Sequence, residues 1–419
     1  MTPFPDPAAA RPASRYSAVG WAVLALALTL YYFRFSTHHG GMSVFSLGGA
    51  CMLRGETLWT CSPGFSYPPF FAFVMIPFSF LPDWAGNLAW YGVLIGTTYG
   101  SYRICETLTV RAFQVAREQL VWLRVFTLIL SLKFVLAVLE NQAYDVIVFF
   151  FVLVGLYGLS MNRTLLAASG LAVAVALKAT PVLMLLYAIL LRKWKVFALG
   201  VGLCAILSVL PDAFFPHSDP KAGYLYRWIV EVAGGGLAGV QSEAHSGFFR
   251  GALYFNQSLR PLVYRLMGAG DVAWGDITAR TEVILHFVYL AYGLAALAII
   301  LRSAKMEGAY LWGASVIVMS MVLLSPVSSK SHFIVLLLPH MVIVAYLMKH
   351  REAWRTAVPL LCASFVMNTL TGRGFVGREL SIKMLSLGII TIGTLLLLAA
   401  VAVIVFRGGK GAKPAISRR

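Results

Sequence analysis

The sequence has few charged residues and is dominated by apolar ones. Only 12% of its 419 residues are Asp, Glu, Lys or Arg, whereas 59% are hydrophobic, and the mean hydropathy is +0.78. Soluble domains cannot bury so large an apolar fraction, so the composition excludes a soluble enzyme. It predicts an all-α polytopic membrane protein whose solvent is largely lipid.

Sequence motifs for nucleotide and metal chemistry are also missing. The chain has no Walker loop, no dinucleotide fingerprint and no zinc-ligand spacing, which argues against ATP-driven transport and redox chemistry. We therefore expect no cofactor and no metal site. Of the five cysteines, Cys105, Cys204 and Cys362 lie in or beside apolar segments and are expected to pack there. Cys51 and Cys61 share one loop, where sequence spacing alone leaves both a disulfide and two free thiols open.

Basic residues outnumber acidic ones, 34 to 17, which gives a formal net charge of +17. In a soluble protein this excess would suggest a nucleic-acid partner. In a membrane protein it is explained by Lys and Arg residues that face anionic lipids on the cytoplasmic side. We therefore expect membrane lipids as partners and no nucleic acid.

Apolar segments of near-spanning length predict a bundle of about twelve transmembrane helices. The predicted spans are residues 17–35, 84–102, 121–139, 143–160, 164–179, 181–192, 196–214, 282–301, 309–326, 332–348, 356–370 and 382–406. Linkers rich in Lys and Arg, including one with Arg103, Arg111 and Arg117, alternate along the chain with linkers that are poor in them. This alternation places the basic linkers and both termini in the cytoplasm. Residues 1–15 are predicted to be a disordered cytoplasmic N-terminus, 16–406 the membrane domain and 407–419 a basic cytoplasmic tail.

This topology leaves two long outer loops, at about residues 36–83 and 215–281, together with short outer turns at 140–142, 325–331 and 371–379. The apolar run from Tyr67 to Pro82 falls in the first loop. If it were a span, the linker with Arg103 and Arg111 would lie outside. Its length and its bounding prolines instead favour an interfacial or re-entrant helix, with Pro68 and Pro69 in the first turn.

Three cationic side chains are predicted at the outer ends of spans, where charged groups are costly and often functional. Lys178 either extends its ammonium to the outer interface or contacts an anion. Lys330 and His332 are close in sequence, and together they would form a phosphate site, although a histidine at a helix end can also be a structural hydrogen-bonding residue.

The large outer loop contains Asn256 and Gln257, followed by an apolar stripe with Arg265. These residues either position a sugar or lipid phosphate, or belong to an amphipathic interfacial helix whose arginine contacts lipid headgroups. Asn141 and Gln142 are expected to cap a tight turn, and Asp145 beyond it is expected to be a buried structural carboxylate.

Several of these segments resemble glycosyltransferase family 87, the group that contains polyprenyl-phosphate-mannose-dependent mannosyltransferases. The similar segments keep the family's order along nearly the whole chain. They are Gly40–Phe45, Arg54–Trp59, Phe65–Pro69, Asn141–Gln142, Leu177–Pro181, Asn256–Ser258 with Arg265, and Ser325–Ser328 with His332.

The resemblance implies a GT-C type bundle in a bacterial inner membrane, with interfacial helices in the first periplasmic loop and a periplasmic active site. Such an enzyme moves a hexose, with mannose as the family-level expectation, from a polyprenyl-phosphate donor to a lipid-linked or envelope-glycan acceptor. Transfer from the sugar C1 requires a base for the acceptor hydroxyl and cations for the departing phosphate. Lys178, Lys330 and His332 are then phosphate contacts. Asn256, Gln257, Arg265 and Tyr67 are candidates for positioning the substrate.

The base is where the sequence departs from the family pattern. The family places an aspartate early in the first outer loop, whereas this chain has His38 and His39 before Gly40 there. Glu56 is the only carboxylate in the loop before Tyr67, so it is the predicted base. His39, with His38 beside it, is the alternative because imidazole titrates in a useful range.

Two other functions remain open at this stage. A flippase or transporter of a lipid-linked sugar would use the same outer cations without a base, although it should carry polar residues through the bundle. A catalytically silent scaffold for envelope assembly would keep the fold and lose the activity.

Overall fold

The computed structural model describes residues 26–33, 35–36, 40–215, 217–218, 222–234, 254–268 and 278–408, and this part of the chain is helical without strands. Five helical segments are long and apolar enough to cross a membrane: Arg117–Glu140, Trp194–Phe214, Ala279–Ser303, Lys330–Lys349 and Ile389–Arg407. The longest helix, Asp83–Phe113, has 31 residues. Shorter apolar helices are Gly41–Leu53, Pro69–Ser79, Asp145–Ser160, Thr164–Leu177 and Ala309–Leu323.

The remaining helices are short and lie between these segments. They are Leu58–Cys61, Val182–Leu190, Tyr224–Arg227, Leu259–Leu266, Trp354–Phe365, Arg373–Val376 and Arg378–Ser386. Tighter 3₁₀ turns occur at Arg117–Gln119, Lys330–Leu336 and Arg351–Ala353, and wider π-helical turns at Trp228–Gly234 and Val366–Leu370. The 3₁₀ turns at Arg117 and Lys330 begin two of the long apolar segments.

Four long apolar segments coincide with predicted spans, at 121–139, 196–214, 282–301 and 332–348. Two predicted boundaries are wrong. Arg103 and Arg111 lie inside the Asp83–Phe113 helix and not in a linker, because that helix continues until Gln114 adopts a left-handed conformation with φ 50°. The predicted span 382–406 is divided at Gly388, whose φ of 71° ends one helix before Ile389 begins the next. The structure describes residues 26–33 and 35 of the predicted span 17–35, and they are helical. Residues 1–15 lie outside the described residues.

The predicted interfacial segment contains one helix, Pro69–Ser79. Its 11 residues extend about 16 Å, half of a hydrocarbon core. Pro68 is its N-cap and Pro69 its first residue, as predicted, since the missing N–H of proline costs nothing in a first turn.

Glycines bring two antiparallel helices, Asp145–Ser160 and Thr164–Leu177, into close contact. A Cβ atom on Gly158 would lie 2.4 Å from the backbone nitrogen of Ala167, and one on Gly170 would lie 2.6 Å from that of Gly155. Only glycine permits backbones to approach so closely in a membrane bundle. Because the first helix begins where the second ends, Asp145 and Lys178 are placed at the same end of the pair. We call this end of the bundle the site end.

The turn at Asn141 and Gln142 joins the first loop to the site end. Gln142 accepts a hydrogen bond from the Met42 N–H at 3.0 Å and donates to the Phe35 carbonyl at 3.1 Å. The indole of Trp90 donates to the Gln142 carbonyl at 2.9 Å. Gln142 therefore does more than cap a turn, since it holds the beginning of the Gly41–Leu53 helix against the bundle.

Cys51 and Cys61 form a disulfide, with their Cα atoms 6.0 Å apart. The sequence left both a disulfide and two free thiols open, and the structure has the disulfide. The bridge ties the end of the Gly41–Leu53 helix to the short helix Leu58–Cys61, so the turn with Arg54 and Glu56 is a closed loop. Of the other three cysteines, Cys105 is buried in its helix, as predicted, whereas Cys204 is half-buried and Cys362 is exposed, so the expectation that it packs is wrong.

Candidate functional site

A buried ion pair between Asp145 and Lys178 forms the centre of the site. The Lys178 Nζ donates to Asp145 Oδ1 at 2.7 Å. Asp145 is the first residue of its helix, where a negative charge is favoured by the helix dipole. Lys178 is the C-cap of the neighbouring helix and has extended backbone, with φ −156° and ψ 129°. Pro181 follows in the next turn, where proline favours the start of a new helix and disfavours continuation of the old one.

The 3₁₀ turn Lys330–Leu336 adds two more groups to this carboxylate. The Ser331 hydroxyl donates to Asp145 Oδ2 at 3.2 Å, and His332 Nδ1 lies 3.6 Å from the same oxygen. The Ser329 hydroxyl is 3.1 Å from His332 Nδ1. The ring therefore has its Nδ1 edge toward Asp145 and Ser329, which leaves Nε2 available for another partner.

This cluster is well shielded from solvent. The side chains of Asp145, Lys178 and His332 are 7%, 17% and 18% exposed. A buried carboxylate next to an ammonium and an imidazole is stable only because the charges compensate each other. Each cation nevertheless has donors that Asp145 does not use, so the cluster can bind an incoming anion without being dismantled.

A small cavity opens between these groups. It is lined by Asp145, Lys178, His332 and apolar neighbours, and it offers a water-sized molecule about 20 Å³ of space. That volume holds roughly one water molecule, so it admits a single phosphate oxygen but not a sugar ring. A hexose bound through its phosphate would lie outside this cavity.

Aromatic rings form one wall of the site. The Lys178 ammonium lies 5.7 Å from the centroid of the Tyr144 ring, within the range of a cation–π contact. Tyr67 packs edge-on against Tyr144 at 4.8 Å between centroids, and burial raises the pKa of Tyr67. The structure therefore brings Tyr67, from the first loop, next to the Asp145 cluster.

Lys330 has different surroundings from His332, although the sequence suggests a pair. The charges that act on Lys330 are those of Glu140 and Arg373, whereas Asp145 and Lys178 act on His332. Residues two apart in a 3₁₀ turn differ in direction by about 120°. Among the described residues, Lys330 makes no hydrogen bond or ion pair.

Asn256 and Gln257 are buried and hydrogen-bonded to backbone. Asn256 donates to the Pro326 carbonyl at 2.9 Å and accepts from the Ser328 N–H at 2.9 Å. Gln257 donates to the Leu385 carbonyl at 2.7 Å and accepts from the Ile390 N–H at 3.2 Å. The two amides thus connect three loops at the site end. Their role as substrate contacts stays a prediction, since their polar atoms already have partners in the protein.

Arg265 lies on the Leu259–Leu266 helix, as the apolar stripe predicted. One of its guanidinium nitrogens donates to the Asn256 carbonyl at 3.0 Å. Arg265 therefore also helps to hold the loop of Asn256 and Gln257.

Glu56 lies in the disulfide-closed turn and is paired with Arg54. The Arg54 Nε donates to Glu56 at 2.9 Å, and the Glu56 side chain is 45% exposed. The hydrogen bond from Arg54 lowers the pKa of Glu56. Its hydrogen bonds within the described structure do not reach the Asp145 cluster. The Cys51 and Cys61 sulfurs lie nearby, but a disulfide has no thiolate for a metal. The alternative base, His39, lies outside the described residues, as does His38.

Asp145 is a buried carboxylate, as predicted, but the sequence analysis did not place it at the centre of this cluster. The sequence placed Lys178 and the turn before Asp145 on the same outer face, and an intramembrane cation calls for a nearby carboxylate. That rule could have paired the two residues. It could not have added Ser331 and His332, which come from a distant segment of the chain.

A helical membrane bundle with a buried cluster of one carboxylate, one ammonium and one imidazole defines a polytopic membrane protein with a buried polar site. The family model of glycosyltransferase family 87 matches residues 65–326, which is more than half of the chain. The protein belongs to glycosyltransferase family 87. It is therefore a membrane glycosyltransferase, as the sequence segments predicted.

More distant comparisons add little. The chain matches none of the curated proteins. It is similar to the crystal structure of ArnT from Cupriavidus metallidurans in the apo state, with 12% identity over 93% of this chain and 78% of that one and a TM-score of 0.40. This similarity is too low to assign any residue or activity.

Proposed function

We propose that this protein transfers a hexose from a polyprenyl-phosphate donor to a lipid-linked or envelope-glycan acceptor, with mannose as the sugar expected from the family. The observation that carries the proposal is the buried cluster of Lys178 and His332 around Asp145. Family membership supplies the reaction class, and the cluster supplies the chemistry that a phosphate leaving group requires.

In this proposal Lys178 and His332 stabilise the departing phosphate. Bond breaking at C1 transfers negative charge to the phosphate oxygens, so an ammonium and an imidazole N–H donor fixed in a site of low dielectric favour the transition state over the ground state. The cavity between the two side chains has room for a phosphate oxygen. The sugar then lies outside the cavity, and Tyr67, which packs against Tyr144 beside Lys178, is the proposed aromatic contact for it.

Asp145 is proposed to position these cations and not to act as the base. Its carboxylate already accepts from Lys178 at 2.7 Å and from Ser331 at 3.2 Å, and an ion-paired carboxylate is a weak base. It fixes the Lys178 ammonium and the Nδ1 edge of His332, so both side chains are oriented before the donor binds.

Glu56 remains the proposed base. It is partly exposed in the first loop, where an acceptor hydroxyl can reach it. The pairing with Arg54 keeps the carboxylate ionised and ready to accept the proton. Transfer would follow if binding of both substrates brings the acceptor hydroxyl, C1 and Glu56 into line.

The active site is proposed to face the periplasm of a bacterial inner membrane, with both termini in the cytoplasm. The support is the distribution of Lys and Arg in the linkers opposite the site end. Reporter fusions at Arg117 and at Gly234 test it. The two positions should report opposite sides of the membrane, and a common side would contradict the topology.

Transfer itself is tested with purified protein in proteoliposomes that contain a polyprenyl-phosphate hexose labelled in the sugar and a membrane-lipid extract as the source of acceptor. We expect label to move to a new lipid product with wild type and not with Lys178→Ala. Movement of intact donor between leaflets without a new product would instead indicate a flippase. If the label is not transferred and the donor does not move between leaflets, the protein is a scaffold.

A further inference from the structure

A second group of cations lies near the site end and is not part of the Asp145 cluster. It consists of Lys133, Lys330 and Arg373, which we call the lysine–arginine cluster. The Lys133 ammonium donates to the backbone carbonyl of Asn368. A Cβ atom on Gly372 would lie 3.8 Å from that ammonium, and Arg373 is the next residue along the chain. The side chain of Lys133 thus reaches the segment that carries Arg373.

Three elements hold this cluster together. Lys133 belongs to the Leu120–Glu140 helix, Lys330 begins the 3₁₀ turn Lys330–Leu336, and Arg373 follows the π-helical turn Val366–Leu370. Stacking of Phe134 on Phe333, with centroids 6.0 Å apart, joins the first two elements beside the cations. Lys133 lies seven residues before Glu140, which places it about 10 Å deeper along the helix.

Positive charge is in excess here. Lys330 and Arg373 make no hydrogen bond or ion pair within the described structure, and Lys133 donates only to a carbonyl. The charge of Lys330 is felt by Lys133, and Glu140 is the one carboxylate whose charge acts on Lys330. Cations held together in a membrane protein repel one another unless an anion compensates them.

The sequence of the 3₁₀ turn keeps the two groups of cations apart. Ser331 and His332 contact Asp145, while Lys330 lies near enough to Glu140 and Arg373 for their charges to act on it. One short segment therefore contributes to two anion sites. Transfer between two lipids would require two such sites whenever the acceptor lipid, like the donor, carries a phosphate.

We propose that Lys133, Lys330 and Arg373 form a second anion site, which binds the phosphate of a phospholipid-type acceptor while Lys178 and His332 bind that of the donor. This inference rests on the proposed transfer function and narrows it, because it names the acceptor as a lipid with a phosphate near its polar end. It also assigns Lys330 to the acceptor and not to the donor.

The test measures lipid binding and not turnover. Native mass spectrometry of the full chain in detergent is used to titrate dioleoylphosphatidic acid, a phosphate monoester lipid, and separately decaprenyl phosphate, with dioleoylglycerol as the lipid without phosphate. The variants are Lys330→Ala, Arg373→Ala and Lys178→Ala. Lys330→Arg retains the charge, and Arg378→Ala removes an exposed arginine from the adjacent helix as a matched control.

Loss of Lys330 or Arg373 should weaken binding of phosphatidic acid about tenfold, the effect of one charge-assisted hydrogen bond. Binding of decaprenyl phosphate should not change. Lys178→Ala should weaken binding of decaprenyl phosphate and leave binding of phosphatidic acid unchanged. Lys330→Arg and Arg378→Ala should bind like wild type, and dioleoylglycerol should not discriminate among the variants.

Other results would overturn the assignment. Unchanged phosphatidic acid binding in Lys330→Ala, or equal weakening in Arg378→Ala, would mean that lipids bind only by general surface charge. Weaker decaprenyl phosphate binding in Lys330→Ala would return Lys330 to the donor site. If inorganic phosphate alone protects wild type from thermal unfolding as well as the lipid does, the ligand is a free anion. A protein that binds both lipids selectively but transfers no sugar would contradict the proposed function and leave the second site intact.

Discussion

The Lys178 ammonium lies 2.7 Å from the Asp145 carboxylate, although the two residues are 33 positions apart in the sequence. The pair forms because two antiparallel helices, packed through glycines, begin and end at the same level. Ser331 and His332 then approach the same carboxylate from a distant segment. One buried carboxylate thus contacts both the Lys178 ammonium and the His332 imidazole.

Asp145→Asn tests whether that charge positions the cations. The amide retains the volume of the carboxylate but no longer compensates Lys178 and His332, so the cations lose their fixed orientation. We expect the KM for the polyprenyl-phosphate donor to rise and kcat to fall, each about tenfold, because the same two side chains bind the donor phosphate and stabilise it as it departs. Steady-state transfer at varied donor concentration measures both constants. A large loss of kcat at unchanged donor KM would instead identify Asp145 as the base.

A double-mutant cycle measures the ion pair itself. Lys178→Met leaves Asp145 buried without its closest cation and should lower the free energy of unfolding by about 3–5 kcal/mol. Adding Asp145→Asn removes the uncompensated charge, so the double variant should regain most of that loss. Thermal unfolding in detergent, followed by tryptophan fluorescence, provides the comparison. Additive losses would show that the two side chains do not stabilise each other.

Glu56→Gln tests the proposed base. It should reduce kcat at least about a hundredfold while leaving the donor KM unchanged, because general-base catalysis contributes on that scale and Glu56 does not touch the phosphate cations. Glu379→Gln, at an exposed position in the Arg378–Ser386 helix, is the matched control. Wild-type turnover in Glu56→Gln would eliminate Glu56 and leave the histidines before Gly40 as candidates.

The pairing with Arg54 predicts a pH effect at the same position. Because the Arg54 hydrogen bond lowers the pKa of Glu56, the base stays deprotonated to a lower pH than an ordinary glutamate. Removing that partner with Arg54→Ala should raise the pKa and move the acidic limb of the kcat profile to higher pH. The profile of Arg54→Ala is compared with that of wild type from mildly acidic to neutral pH. An unmoved acidic limb would indicate that another group controls it.

Gln257→Leu separates a structural role from substrate binding. The substitution leaves the Leu385 carbonyl and the Ile390 N–H without their partner, so the protein should lose about 2–4 kcal/mol of stability. At temperatures where the variant is folded, its donor KM should match that of wild type. A raised KM without a loss of stability would restore Gln257 as a substrate contact.

Much of the fold follows from composition and periodicity. Apolar runs of spanning length predict the long helices because only a backbone with internal hydrogen bonds is stable in lipid. The ends of helices are less predictable. Gly388 divides one apolar run because its backbone is left-handed, and the Asp83–Phe113 helix includes arginines that sequence rules place in a linker.

The candidate site was only partly predictable, because its contacts join residues that are distant in the sequence. Lys178 and His332 could be selected from sequence because charge near the membrane is costly and therefore informative. Asp145, the partner of both, could not be selected in this way. Nothing in the sequence around Asp145 distinguishes a buried structural carboxylate from the centre of a cluster. Asn256 and Gln257 show the reverse, because their sequence context fits substrate binding while their contacts are with backbone.

By itself, the sequence determined that this protein is a helical membrane protein of glycosyltransferase family 87, because hydropathy and ordered motifs are properties of the chain alone. Tertiary structure decided which polar residues meet. It joined Asp145 to Lys178 and His332, closed the turn of Glu56 with a disulfide, and left Lys330 out of the contacts with Asp145 that its neighbours Ser331 and His332 make. Such choices depend on helix packing and side-chain direction, which bring distant residues within a few ångströms and separate adjacent ones.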